Sequence, residues 1–316
     1  MVRVAILGGT GHVGQTVAEV ISQDPRHSVV VLGRRVPQET LPKVDYAQVN
    51  YTDVATVSSV LEHHQVNTVI SCLMITSQTI ADAEAAAITA ADTSPCTRRF
   101  IASNWGPPTL EENRDRSPWY PYQLTLRAQL RETSLEWTEI ATGYFLDYWG
   151  MPHIKSNMTP DLPVLDIVHG VAGIPGTGNE PISFAYTYDV ARVVAEVLKM
   201  PKWDEVTFIM ADKLTWNEFV ALAESTCGRK FDVSYDDVTK LTAGDITELP
   251  NHREAYHDFP KEELRKMYSG LGLSMAQGTF DLDVGRSVHL QFPHIKMLTV
   301  RGMLETVWGP KHAEST

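Results

Sequence analysis

The 316-residue sequence predicts an α/β fold, a doubly wound parallel sheet with a smaller lobe interleaved into its C-terminal half. Three observations carry this. Short apolar runs alternate with helical patterns from the N-terminus to about residue 142. A glycine-rich turn joins the first run to the first helix. Beyond residue 150 the alternation gives way to a segment rich in Pro and Gly.

Val2–Leu7 is apolar except for Arg3 and reads as the first strand. Gly8–Gly14 turns the chain, and His12–Ile21 has helical spacing. Ser28–Leu32, rich in β-branched residues and closed by Gly33, is the second strand. Tyr46–Val49 is a weaker third. Val54–Leu61 has helical spacing, and Asp53 is placed to cap it. Thr68–Leu73 is the fourth strand, Ile80–Ala91 an alanine-rich helix and Arg99–Ala102 the fifth strand. Leu124–Leu135 is helical, and Trp137–Thr142 returns as a strand. Strands separated by helices pair in parallel, with helices over both faces. In the second half, Ser183–Ala185 is a short strand. Asp189–Leu198 is an amphipathic helix expected to dock on the sheet, with Asp189 as its cap. Val206–Met210 is a further strand. Thr215 is placed to cap Trp216–Cys227, which Gly228 ends. Residues 231–280 are charged and broken, with one helix near Lys261–Leu271, and Leu298–Val307 is the last helical stretch.

Charge and composition exclude several classes. There are 27 basic against 39 acidic residues, a net charge of -12, which disfavours general binding to nucleic acid or anionic membrane. No apolar run approaches the roughly 20 residues that span a bilayer. Cys72, Cys96 and Cys227 lie far apart, so neither a disulfide framework nor a cysteine-rich zinc site is legible, and a reducing compartment is expected. With no signal peptide at the start, the expected location is the cytoplasm. His63-His64 has no partner at metal-ligand spacing and reads as a solvated helix end, so no metal is expected. Neither a G-x-S-x-G elbow nor a Tyr-x-x-x-Lys pair occurs where needed: Leu126 stands four residues after Tyr122, and Tyr148 four after Tyr144.

The strongest motif is Gly8-Gly9-Thr10-Gly11-His12-Val13-Gly14, a G-x-x-G-x-x-G turn between the first strand and first helix. Gly8 permits the tight turn, Gly11 lets backbone approach a pyrophosphate, and Gly14 lets helix pack on strand. Gly8, Thr10, Gly11, His12, Val13 and Gly14 are therefore expected to hold a dinucleotide on backbone N–H groups and the helix dipole. The second strand ends in Gly33-Arg34-Arg35. An NAD site usually places an acid there. Two guanidinium groups favour a 2′-phosphate, hence NADP(H). Ser71, Cys72 and Leu73, at the carboxyl end of the fourth strand, are expected near the cofactor ribose, with a packing role the equal alternative, and Ser103 and Asn104 are expected near the cofactor after the fifth. Residues 1–150 then form a Rossmann NADP-binding domain to which 182–210 returns. Residues 151–181 and 211–316 form the substrate lobe.

These residues resemble the NmrA-like, isoflavone-reductase-like group of atypical short-chain dehydrogenases. The resemblance rests on GGTGHVG, the arginines after the second strand, RFIASNWG and LEWTEIATGYFLDYWG, and extends through IPGTGNEP, FAYTYDVARVVAEVL and DKLTWNEFVALAE. It covers about the first 225 residues and is most similar to fungal members acting in secondary metabolism. It implies a Rossmann domain with a C-terminal substrate lobe, and either NADPH-dependent reduction or, as in NmrA itself, dinucleotide sensing without turnover. The family's reductases carry a lysine four residues before a helix arginine. Matching Arg127 and Thr138 puts that position at Gln123, and no lysine occurs between Lys43 and Lys155. An amide cannot serve as the general acid or base that an ammonium can, but it can hydrogen-bond a carbonyl or hydroxyl. Asn104 and Trp105 likewise stand where the family has an acid and phenylalanine.

The expected function is an NADPH-dependent oxidoreductase acting on a bulky aromatic or alkaloid-like secondary metabolite, as monomer or homodimer. Gln123 and Tyr122 would position the acceptor, and His153 is a possible acid/base group. Trp105, Tyr144, Phe145, Tyr148 and Trp149 would line an aromatic pocket, with core packing as the alternative use of the same rings. A redox-neutral isomerase, cyclase or rearrangement enzyme is the second reading, raised by the missing lysine. A non-catalytic sensor is the third.

Overall fold

The computed structural model describes residues 2–309 except Asp161 and Asp258. The chain divides into two compact units. The first is Met1–Thr142, Thr187–Ile209 and Gly285–Lys296; the second is Gly143–Tyr186, Met210–Val284 and Met297–Thr316. The sequence division at 150 thus lies eight residues beyond the structural one, because Tyr144–Phe145 pairs with strand Pro181–Ala185 of the second unit.

The first unit is a seven-stranded sheet of β1 (Val2–Leu7), β2 (His27–Gly33), β3 (Val44–Gln48), β4 (Thr68–Ser71), β5 (Arg99–Gly106), β6 (Glu136–Ala141) and β7 (Val206–Phe208). Every pairing is parallel, in the order β7-β6-β5-β4-β1-β2-β3. Five longer helices accompany it: α1 (His12–Gln23), α2 (Val54–His63), α3 (Gln78–Thr93), α4 (Tyr120–Arg131) and α5 (Thr187–Val197). Val4–Leu7 are buried without alternation, as a strand covered on both faces requires. The strand order reverses between β1 and β4. In open α/β sheets, ligands bind beyond the carboxyl ends of the strands at such a switch.

Local signals account for most boundaries. Asp53 caps α2 by accepting from the Thr56 N–H at 3.1 Å. α5 packs against α1, as its apolar stripe anticipates. Asp189 does not cap α5: it lies inside the first turn, buried, where it pairs with Arg192. α4 starts at Tyr120, earlier than the apolar spacing indicates, with Pro121 in its first turn, where a missing N–H costs nothing. β5 runs past its apolar run through Ser103-Asn104-Trp105-Gly106, and its register against β6 shifts between Ala102 and Gly106.

The second unit contains two three-stranded sheets. One joins Tyr144–Phe145, Pro181–Ala185 and Asp212–Thr215; the other joins Leu165–Asp166, Val171–Pro175 and Asp232–Asp236. Most of these strands are too short for periodicity to reveal. The helix Trp216–Cys227 has a full capping box between Thr215 and Glu218 and ends at Gly228 in the left-handed region. Its core is aromatic: Trp149, Phe184, Trp216 and Phe219 pack ring on ring at centroid distances of 4.9–6.2 Å.

Candidate functional site

The three motif glycines differ in what requires them. Gly8 has φ +70°, and a Cβ there would lie 2.8 Å from the Cys72 carbonyl oxygen. A Cβ on Gly14 would lie 2.2 Å from the Gly8 oxygen. Both are demanded by the fold. Gly11 is exposed, and a Cβ there meets only the Gly8 oxygen, at 3.3 Å. The fold therefore makes the smallest demand for glycine at 11, where a Cβ needs the Gly8 carbonyl to give by only a few tenths of an ångström, and the space beside it is open to solvent. Gly11 is also the N-cap of α1, so no side chain caps the first turn, and no acid stands in it. The leading N–H groups, those of Val13 and Gly14 included, lack intrahelical acceptors, and the helix dipole favours an anion beside them. Thr10 and His12 flank this opening and are exposed.

Tyr51 belongs to this site, and no spacing in the sequence marks it. Its hydroxyl accepts from the Gly8 N–H at 3.1 Å and donates to the Leu32 carbonyl at 2.5 Å. It ties the glycine turn to the end of β2. Burial pushes its hydroxyl above the usual range, so it stays protonated. Arg34 and Arg35 leave β2 just beyond. Both are exposed, and neither has an acidic partner among the described residues.

At the carboxyl ends of β4 and β5 the polar atoms turn inward. The buried Ser71 hydroxyl donates to Glu84 Oε2 at 2.5 Å. The Ser103 N–H donates to Glu84 Oε1 at 3.2 Å, and its hydroxyl to the Leu73 carbonyl at 2.5 Å. The Asn104 amide donates to the Pro107 carbonyl at 2.8 Å and closes its own turn. These bonds shape the edge: the Ser71 and Ser103 hydroxyls donate to protein, and Asn104 spends one of its two amide N–H donors on its own turn. Burial, with the Glu84 charge beside it, pushes the Cys72 thiol far up, so it is no thiolate. Trp105 is buried at φ +63°, a region bulky residues avoid, and its indole N–H donates to the Ser71 carbonyl at 3.0 Å.

Glu84 is 1% exposed, and burial raises its carboxyl to about 7 against hydrogen bonds that pull it down. Because the folded value lies above the unfolded one, the native state binds the extra proton between about 4.5 and 7. Stability from this group is present at acid pH and is lost as pH rises through that window. Wild type is thus expected to lose about 2 to 3 kcal/mol relative to Glu84→Gln between pH 5 and pH 8. Urea unfolding of both proteins at the two pH values checks this; a pH-independent difference contradicts it.

Gln123 sits half-buried in the first turn of α4. Its Oε1 accepts from the Thr109 hydroxyl at 3.2 Å, and its carbonyl accepts from Arg127 Nη1 at 3.0 Å. Thr109 N–H in turn donates to Glu139 Oε1 at 2.9 Å, and Arg127 is paired with Glu139 in full burial. Burial lowers Arg127, which stays cationic at neutral pH. With Oε1 engaged by Thr109, Gln123 Nε2 is a donor with no partner among the described residues. Tyr122 is half-buried, its ring packed on the core behind the sheet, which favours a packing role over the catalytic one expected for it. Tyr120, in the same aromatic segment, is buried, and burial raises its hydroxyl to about 12.

The remaining expected pocket residues belong to the second unit. Trp149 is 2% exposed, and its indole donates to the Leu165 carbonyl at 3.0 Å among the core rings. It packs in the core, the alternative use expected of these rings. Tyr144 and Phe145 are also buried, Tyr144 within the same ring cluster. Tyr148 is half-buried, and His153 is exposed in the turn after Gly150. Among the described residues no group of three potential metal ligands converges, and no helix is long and apolar enough to cross a membrane.

Residues 2–288 match the NmrA-like family. The chain is 31% identical over 264 residues to oxidoreductase BOA1 of Botryotinia fuckeliana, covering 83% of this chain and 86% of that protein. It is 28% identical to oxidoreductase swnN of Metarhizium robertsii across 100% of both chains. Among solved structures, leucoanthocyanidin reductase from Vitis vinifera with NADPH superposes at a TM-score of 0.71, with 18% identity, covering 95% of this chain and 97% of that one. AtPrR2 with NADP+ and (+)-pinoresinol superposes at 0.73, with 16% identity over 97% and 98%. The fold, the glycine turn and these similarities together place the chain in the NmrA-like family.

Proposed function

We propose that the protein is an NADPH-dependent oxidoreductase acting on a bulky, largely apolar secondary metabolite. The observation that carries the reading is Gly11, the motif glycine on which the fold makes the smallest demand, at an uncapped helix start. Relatives named oxidoreductase and fold neighbours solved with NADPH or NADP+ support it. The turn would hold the pyrophosphate on backbone N–H groups, and Arg34 and Arg35 the 2′-phosphate. When bound, the cofactor supplies hydride. The large apolar side chains exposed in the first unit support the substrate class. Val36, Met74, Leu110 and Trp119 all lie on connections leaving the carboxyl ends of strands β2, β4 and β5; among the described residues of this unit only Leu290 lies elsewhere. Apolar surface gathered at the edge that receives ligands suits an apolar substrate.

Gln123 would orient the acceptor by donating from Nε2, and the buried Arg127–Glu139 pair holds its helix and the Thr109 turn in place. Gln123→Ala is then expected to lower turnover by roughly 10- to 100-fold, the loss of one or two hydrogen bonds. A second reading, a redox-neutral rearrangement, is favoured by the amide standing where an ammonium would serve acid–base chemistry. NADPH deuterated at the transferable hydrogen separates them. Deuterium in product with net NADPH oxidation supports the reductase. Transfer without net oxidation supports internal redox isomerisation, and turnover without transfer excludes hydride chemistry. Tight NADPH binding with no turnover of any pathway intermediate supports a sensor.

A further inference from the structure

The buried carboxyl of Glu84 takes no part in the proposed chemistry. Its helix otherwise buries only small or apolar side chains among the described residues: Ala81, Ala83, Ala87, Ile88, Ala90 and Ala91. A carboxyl in such a place is costly and needs a use that an alanine could not fill. Its surroundings supply one. The β4–β5 pairing ends at Ile70 and Ile101, so the buried Ser103 N–H, which faces β4 as the Arg99 N–H does, lies beyond the ladder and needs another acceptor. Glu84 Oε1 is that acceptor, while Oε2 holds the Ser71 hydroxyl at the end of the neighbouring strand. The Ser103 hydroxyl reaches across to the Leu73 carbonyl, and the Trp105 indole to the Ser71 carbonyl. Four hydrogen bonds thus tie the last residues of β4 to those of β5, and two of them converge on Glu84.

We propose that Glu84 is a positioning residue that clamps the carboxyl ends of β4 and β5 and so holds Trp105 in its left-handed conformation as a fixed wall of the site. A tryptophan at φ +63° persists only when its surroundings over-determine it, and such strain gathers where a side chain must be aimed. The alternative, a carboxyl serving stability alone, predicts no change at Trp105 in a folded variant. That this edge receives the nicotinamide rests on the proposed function; the clamp on Trp105 does not.

The test uses full-length Glu84→Leu, Glu84→Gln, the milder Ser71→Ala, Trp105→Phe, and the double variant of Glu84→Leu with Trp105→Phe. The Trp105 contribution is read as the difference from Trp105→Phe in two measurements: acrylamide quenching of the free protein, and tryptophan-sensitised emission of bound NADPH. Wild-type Trp105 should be shielded. Glu84→Leu should raise its quenching about 3-fold or more and remove its sensitised emission, while NADPH affinity changes less than about 3-fold because the phosphates are held elsewhere. Ser71→Ala should move both in the same direction by less. Glu84→Gln, which keeps an acceptor for Ser103, should restore most of the Trp105 signal. The double variant should add nothing to Trp105→Phe alone, the non-additivity of residues acting through one another. If Glu84→Leu does not fold, Ser71→Ala decides. A folded Glu84→Leu or Ser71→Ala with unchanged Trp105 quenching, or an effect additive with Trp105→Phe, overturns the clamp. Failure of wild type to bind NADPH overturns the proposed function instead and leaves the quenching comparison intact.

Discussion

Gly11→Val is expected to abolish dinucleotide binding in a protein that still folds. The two outer glycines could not be tested this way. A side chain on Gly14 would drive into the Gly8 carbonyl, and one on Gly8 into the Cys72 carbonyl. At Gly11 the nearest atom to a new Cβ is the Gly8 oxygen at 3.3 Å, and the backbone, at φ -87° and ψ 173°, is extended and open to valine. The fold loses about 1 kcal/mol from a poorer N-cap. A ligand loses far more, because the isopropyl group occupies the space through which a pyrophosphate reaches the N–H groups of the first turn. Affinity for NADPH should fall by at least about 100-fold, roughly 3 kcal/mol, with an unaltered circular dichroism spectrum. Undiminished binding would show that the dinucleotide sits elsewhere.

The second large effect is a change of cofactor preference in Arg34→Asp. Arg34 is exposed at the end of β2 with no acidic partner among the described residues, so removing it breaks no ion pair in the free protein. Against a 2′-phosphate the substitution removes a charge-assisted bond and adds repulsion. NADPH affinity should fall by about 100-fold while NADH affinity holds or improves, since an acid at this position suits the ribose hydroxyls. Equal losses for both cofactors would mean that the arginine acts through the general field rather than on the phosphate.

The first unit was largely legible in the sequence because its signals are local. β1, apolar but for Arg3, and the valine-rich β2 each run into a glycine, and Asp53 stands where a helix start needs it, as Thr215 and Gly228 do at the ends of a helix in the second unit. The glycine turn was found for the same reason. What escaped has non-local causes. β5 hid its last four residues because Ser103, Asn104 and Trp105 follow no period; they are held by Glu84, Pro107 and Ser71, from 3 to 34 positions away. Tyr51 reaches the glycine turn only because β3 runs alongside β2 and brings the next turn back to it. The aromatic segment from Tyr144 to Trp149 reads equally well as pocket or core. Only the partners Phe184, Trp216 and Phe219, contributed from far along the chain, decide that Trp149 is core.

The central claim is that this glycine turn and its two arginines form an NADP(H) site. Calorimetric titration of the unmodified protein with NADPH and with NADH tests it most directly. The account predicts one NADPH per chain, bound at least about 100-fold more tightly than NADH, roughly 3 kcal/mol. Equal affinities, or a preference for NADH, would contradict it.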